Sequence, residues 1–218
     1  MAETKITNRE IYNNVLSNGT IYGKLNIRDL RRFADTAKFL VPEAESILDV
    51  GCFCGEWLNY VVAHKQTIQK HLGIEVAQNK VDEARKQYPH LNIQCEFAEK
   101  LNLPPQSFDV VTCLEVLEHI PDWQSVFNSL FRFASRQVLI TVPCKELIWQ
   151  TACIHCGKMT PIYGHLHSFS EKDFPKMAGW HVGFAKLRDK SSRPILKGIY
   201  RFFVPNYYWL LVSYRRKT

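Results

Sequence analysis

The residues with most chemistry to offer are gathered around a tight turn, Gly51-Cys52-Phe53-Cys54-Gly55. The turn sits between the apolar run Ser46 to Val50 and a stretch, Glu56 to His64, with the make-up of an opening helix. Its two glycines let bare backbone come close to a ligand. Glu75 follows twenty residues after Gly55, closing the short apolar run Leu72-Gly73-Ile74, and is spaced to accept the two hydroxyls of a ribose. The pair predicts an adenine nucleoside. A phosphate-binding loop needs several glycines in succession or a Gly-Lys-Ser/Thr ending, and this turn has neither. Asp49, just before the turn, would repel a pyrophosphate and attract the ammonium of an amino-acid tail.

Adenosine joined to an amino-acid tail is S-adenosylmethionine. Leu48-Asp49-Val50-Gly51-Cys52-x-x-Gly55 resembles the first motif of the class I S-adenosylmethionine-dependent methyltransferases. Gly73-Ile74-Glu75-Val76, followed by the helical Asn79 to Gln87, resembles the family's second strand and its ribose-binding acid. Phe97-Ala98-Glu99-Lys100-Leu101-Asn102-Leu103-Pro104 resembles its adenine-contacting segment, and Ser107 to Ile120 its fourth strand and the helix start beyond. The four matches span about residues 44 to 145, and the later strands carry the likeness nearly to the C-terminus. The resemblance implies a Rossmann-like α/β fold: a seven-stranded, mostly parallel sheet with helices on both faces and its last strand antiparallel. It also implies cofactor contacts at Asp49, Gly51, Cys52 and Gly55 near the methionine tail, Glu75 on the ribose, Ala98 and Glu99 at the adenine, and Leu114. Two positions depart from the pattern. Phe53 stands where the loop's middle glycine is usual, and Phe97 where many relatives place an Asp, with Glu96 or Glu99 as its replacement.

Methyl transfer from a sulfonium needs a nucleophile held in line and, where it carries a proton, a group to take that proton. His119, closing Glu115-Val116-Leu117-Glu118-His119, lies just beyond the fourth strand and is either a positioning residue or a general base. Cys144, Cys153, Cys156, His165 and His167 fall within twenty-four residues after the fifth strand. Cys153-x2-Cys156-Gly157 has the spacing of a knuckle that presents two thiolates to one zinc ion, and Cys144 with His165 would complete four ligands. The competing reading is packing: Cys144 ending a buried strand, Cys153 and Cys156 on one helix face, and His165 opening a His-x3-Phe-Ser segment before a helix over Glu171 to Met177. A four-ligand zinc would be structural; three ligands would leave a position open for substrate. If they are not ligands, His165 and His167 are candidates for proton removal.

These residues need a scaffold, and the pattern supplies one. Strands over 46–50, 71–75, 92–96, 108–113 and 136–142 alternate with helices over 56–65, 78–87 and 123–132, which predicts a parallel sheet. Trp180 to Leu187 and Tyr207 to Tyr214 add strands near the C-terminus. A helix over Asp29 to Leu40, ending before Pro42, belongs to an N-terminal helical lid over about 1–42, in which Tyr12 and Tyr22 are candidates to meet ligand. The chain of 218 residues is expected to form one domain, with a Cys/His-containing insert at about 143–170.

Composition bounds the rest. With 46% hydrophobic residues the chain can fill a core, and seven cysteines, an odd number, argue against a disulfide framework. The polar start, Met1 to Arg9, predicts a cytoplasmic protein. The net charge of +7 is concentrated in Lys186 to Thr218, which holds nine Lys or Arg against one acid, Asp189. Aromatics interleave with those charges, so an anionic membrane surface or a polyanion is a candidate partner, against a merely solvated tail. The acceptor expected is a small-molecule or sugar-containing metabolite, because no separate RNA- or DNA-binding domain is visible. RNA methylation, or a non-catalytic partner protein with this fold, are the alternatives. No DNA partner is expected.

Overall fold

The computed structural model describes residues 27–153, 156–188 and 208–217. Its hub is Ser46–Val50 (β1), which pairs in parallel with Lys70–Glu75 (β2) on one side and Phe108–Leu114 (β4) on the other. Ile93–Cys95 (β3) extends the sheet beyond β2, and Ala134–Pro143 (β5) extends it beyond β4, both in parallel. Tyr208–Arg216 (β9) then pairs antiparallel with β5, and Trp180–Arg188 (β8) antiparallel with β9, giving the order β3-β2-β1-β4-β5-β9-β8. This is the expected seven-stranded sheet with its last strand reversed.

Both faces of the sheet are buried, which explains the continuous apolar runs of its central strands. Leu48, Val111, Val138, Ile140 and Val212 belong to one apolar layer, while their strand neighbours Ile47, Val110, Leu139 and Leu211 belong to the other. Helices Ile27–Ala37 (α1), Glu56–His64 (α2) and Gln78–Gln87 (α3) cover the second layer through Phe33, Trp57, Leu58, Val61, Val81 and Ala84. Trp123–Phe133 (α4) covers the first through Val126, Phe127, Leu130 and Phe133. It is capped by Asp122, whose carboxylate accepts the Ser125 amide at 3.2 Å.

Two local expectations change. Over 171–177 only a single 3-10 turn forms, Glu171–Asp173. Ser170 and Asp173 build a reciprocal cap there, but Pro175 has no amide hydrogen to carry the helix onward. Cys153 does not lie on a helix either. It follows Gln150–Ala152 (β6), which forms an antiparallel hairpin with Met159–Pro161 (β7), and Gly157, at φ +69°, turns the chain between them. Of the N-terminal lid, α1 is described; Tyr12 and Tyr22 lie outside the described residues, as do 189–207 of the basic tail.

Candidate active site

Strand order reverses between β1 and β4, and the carboxyl ends of two such strands are the usual ligand position in sheets of this kind. Three residues with a side chain and positive φ stand at this edge: Phe53 at +49° after β1, Glu115 at +58° after β4 and Lys145 at +51° after β5. Strained backbone of this kind gathers at functional sites.

The glycine turn is held by its neighbours. The amides of Gly51 and Cys52 both donate to the Ile74 carbonyl of β2, at 2.7 and 2.9 Å. A Cβ on Gly51 would stand 2.2 Å from Val116 Cγ2, so only glycine lets the turn lie against the segment after β4. Cys52 gives its backbone to the turn and its thiol to packing: Sγ would stand 2.8 Å from a Cβ on Gly73. Burial pushes the Cys52 and Cys54 thiols well up, which removes both as nucleophiles.

Asp49 is buried and faces β4, where its register partner Thr112 donates to Oδ1 at 2.7 Å. Thr112 in turn accepts from Trp57 Nε1 at 3.3 Å. Burial raises the Asp49 carboxyl to about 7, with the Thr112 hydrogen bond opposing the rise. Glu75 accepts the amides of Phe53 at 3.0 Å and Ala77 at 2.9 Å, one on each carboxylate oxygen. The Val76 amide also acts on this carboxylate, whose remaining acceptor capacity is what a ribose hydroxyl would use. The Phe53 ring lies under Lys80, whose Nζ is 4.9 Å from its centroid. At the adenine segment the Glu96 carboxylate accepts the Phe97 amide at 2.8 Å, Ala98 is half-buried and packs on the core, and Glu99 is exposed. Leu114 is half-buried at the end of β4 and packs on the second apolar layer.

Beside this half of the site stands a second cluster. The 164–167 segment is stitched to the turn after β4: the Leu166 amide donates to the Glu118 carbonyl at 2.7 Å, His119 Nδ1 to the Gly164 carbonyl at 3.2 Å, and His167 Nε2 to the Ile120 carbonyl at 3.0 Å. His167 is thereby committed to holding the segment in place. His165 is brought to His119, ring centroids 4.7 Å apart, and its Nδ1 pairs with Glu146 Oε2. Glu118 is fully buried beneath them. Burial and His165 lower His119 to about 4, so its ring is neutral near pH 7. Burial, reinforced by Glu115, pushes Glu118 well up. Arg32 of α1 reaches Glu115, Nη1 to Oε2 at 3.9 Å, tying α1 to the same edge.

His119 and His165 thus come together as candidates, but the expected zinc ligands do not. Cys144 is buried at the sheet edge in a bridge to Phe169, Cys156 is exposed on the hairpin, and His165 faces His119 and Glu146. Glu118 and Glu146 were missed. Glu118 adjoins His119 in sequence, but only burial reveals its importance. Nothing in the spacing of Glu146 and His165 announces their contact.

Comparison with known proteins agrees with this geometry. Residues 22–188 match the methyltransferase domain family. The ubiquinone biosynthesis O-methyltransferase of Coxiella burnetii is 31% identical over 91 residues, 40% of this chain; the match spans only 38% of that relative's length. The magnesium protoporphyrin IX methyltransferase of Synechocystis PCC 6803, solved with bound SAH, superposes with a TM-score of 0.66 at 16% identity, covering 96% of this chain and 98% of that one. An S-adenosylmethionine dependent methyltransferase from Mesorhizobium loti gives 0.61 at 15% identity, covering 84% and 96%. The match over most of its length, on a sheet of this order, places the chain in the methyltransferase domain family, the class I S-adenosylmethionine-dependent methyltransferases.

Proposed function

We propose that the protein transfers the methyl group of S-adenosylmethionine to a hydroxyl oxygen of a small, largely apolar metabolite. The observation that carries this reading is the Glu146–His165 pair set against His119 and Glu118 beside the glycine turn. A hydroxyl is a poor nucleophile until its proton leaves, and this cluster is where that proton is lost. The cofactor supplies the sulfonium methyl. Asp49 attracts its ammonium, Glu75 accepts its ribose hydroxyls, and the Ala98 segment receives its adenine. The hydroxyl oxygen then forms the new bond to the methyl carbon as the carbon–sulfur bond breaks, its electron pair staying on sulfur.

The apolar character of the acceptor is supported by the rim. Leu147, Trp149, Met159, Ile162, Tyr163 and Leu166 are all exposed large hydrophobics on the segment that carries Glu146 and His165. A relative named for O-methylation in ubiquinone biosynthesis points the same way. Among the described residues no helix is long and apolar enough to cross a membrane.

The test is incubation with methyl-labelled S-adenosylmethionine and a panel of phenols, catechols, sugars and RNA. Label is expected in organic-soluble methyl ethers, matched by equal S-adenosylhomocysteine. Label in RNA alone would move the protein to the RNA methyltransferases, and cofactor binding without transfer to any acceptor would make it a non-catalytic partner.

A further inference from the structure

We propose that Glu118, His119 and His165 bind a divalent transition-metal cation of the Mn2+ or Zn2+ type, so that the acceptor's proton is lost at a metal rather than to a side chain. The inference rests on the hydroxyl-methylation reading and deepens it. One ligand atom from each of the three residues lies within 4.8 Å of the other two, the only such group of three or more among the described residues.

Two further observations point to a cation. Neither carboxylate oxygen of Glu118 has a hydrogen-bond partner among the described residues, although the side chain is fully buried. A buried carboxylate left so is costly unless a cation or proton offsets it. Acidic charge is dense as well: Glu115, Glu118 and Glu146 converge here, and among the described residues Arg32 comes within ion-pair distance of Glu115, at 3.9 Å. Hydrogen bonds also fix how both imidazoles are turned: His119 Nδ1 donates to the Gly164 carbonyl and His165 Nδ1 to Glu146. Carboxylate–histidine pairs of the Glu146–His165 kind commonly fix and strengthen a metal-binding imidazole.

Two imidazoles and one carboxylate form a mixed nitrogen and oxygen set, better suited to Mn2+ or Zn2+ than to Ca2+ or Mg2+. Three protein ligands leave positions open. An acceptor hydroxyl bound there loses its proton to water, keeps the O–H electron pair, and attacks the sulfonium methyl as described above.

The test is titration of chelator-stripped protein with Mn2+, followed by electron paramagnetic resonance and calorimetry without cofactor or acceptor. About one ion per chain should bind, with pulsed spectra showing coupling to imidazole nitrogen. Glu118→Gln, close in shape to the native side chain, and His165→Ala should each weaken binding about tenfold or more. Cys153→Ser with Cys156→Ser should leave binding unchanged, and thermal melts establish that each variant is folded. Wild-type protein that takes up neither Mn2+ nor Zn2+, or a His165→Ala variant that binds equally well, would overturn the metal site. Methyl transfer persisting in such metal-free protein would leave the hydroxyl-methylation reading intact, with His165 as the base.

Discussion

The Phe53 amide donates to Glu75 Oε2 at 3.0 Å, so the acid proposed to meet the ribose also holds the loop proposed to meet the methionine tail. One carboxylate would thereby set the geometry of two parts of the proposed cofactor site. Phe53, at φ +49°, is tolerated where glycine is usual because this bond and the ring's contact with Lys80 fix the conformation.

Asp49 should make the proposed cofactor site pH-dependent. Its folded-state carboxyl titrates near 7, above its ordinary value of 3.8, so its neutral form stabilises the fold fully below about pH 4. That contribution is lost as pH rises through 7. Asp49→Asn in ligand-free protein should therefore raise Tm at pH 8, by at most about 4 kcal/mol in stability, and do nothing at pH 4. The same variant should bind S-adenosylmethionine more weakly at pH 8. Melts at the two pH values, with calorimetry at the higher, check both signs.

At the acceptor side, His165→Ala should lower kcat by about a hundredfold or more while leaving the cofactor's Kd unchanged. Glu146→Gln should fall between that variant and wild type, since it removes the charge that orients the ring but keeps the ring itself. Single-turnover rates beside binding isotherms separate the two effects. A loss confined to cofactor binding would displace His165 from the acceptor site.

A structural prediction concerns Gln137, fully buried on β5. Its Nε2 donates to the Phe39 carbonyl at 2.7 Å and to Ser213 Oγ at 2.9 Å, and its Oε1 accepts the Val41 amide at 2.9 Å. Gln137→Ala strands those groups and should cost roughly 2–3 kcal/mol. Urea denaturation with an unchanged m-value would measure it.

The parts of the molecule legible in sequence are those determined locally. β1, β4 and β5 are buried on both faces, so each reads as a mainly apolar run with few polar interruptions, and the glycine turn and Glu75 belong to one β-turn-α-β unit. The β6–β7 hairpin left no pattern because nearly all its residues are exposed. The acceptor cluster was half legible: His119 and His165 stand out as residue types, but their meeting depends on the bond from the His119 ring to the Gly164 carbonyl, made across 45 residues. Two of the tail's basic residues also have a structural part to play. Arg215 donates to the Phe39 carbonyl at 3.1 Å and Arg216 to the Ala134 carbonyl at 3.3 Å while lying over Trp180, so both brace the sheet. Reversing their charge should lower Tm, and any test of anionic-surface binding belongs on other basic residues.

The most direct test of the account is calorimetric titration of S-adenosylmethionine into wild type and Glu75→Ala, with melts to establish that both are folded. Stoichiometric binding to wild type is predicted, weakened by roughly 1.5–3 kcal/mol in the variant through loss of hydrogen bonds to a charged group. Absence of binding to wild type, or the same Kd in both proteins, would contradict an adenosyl cofactor seated between the glycine turn and Glu75.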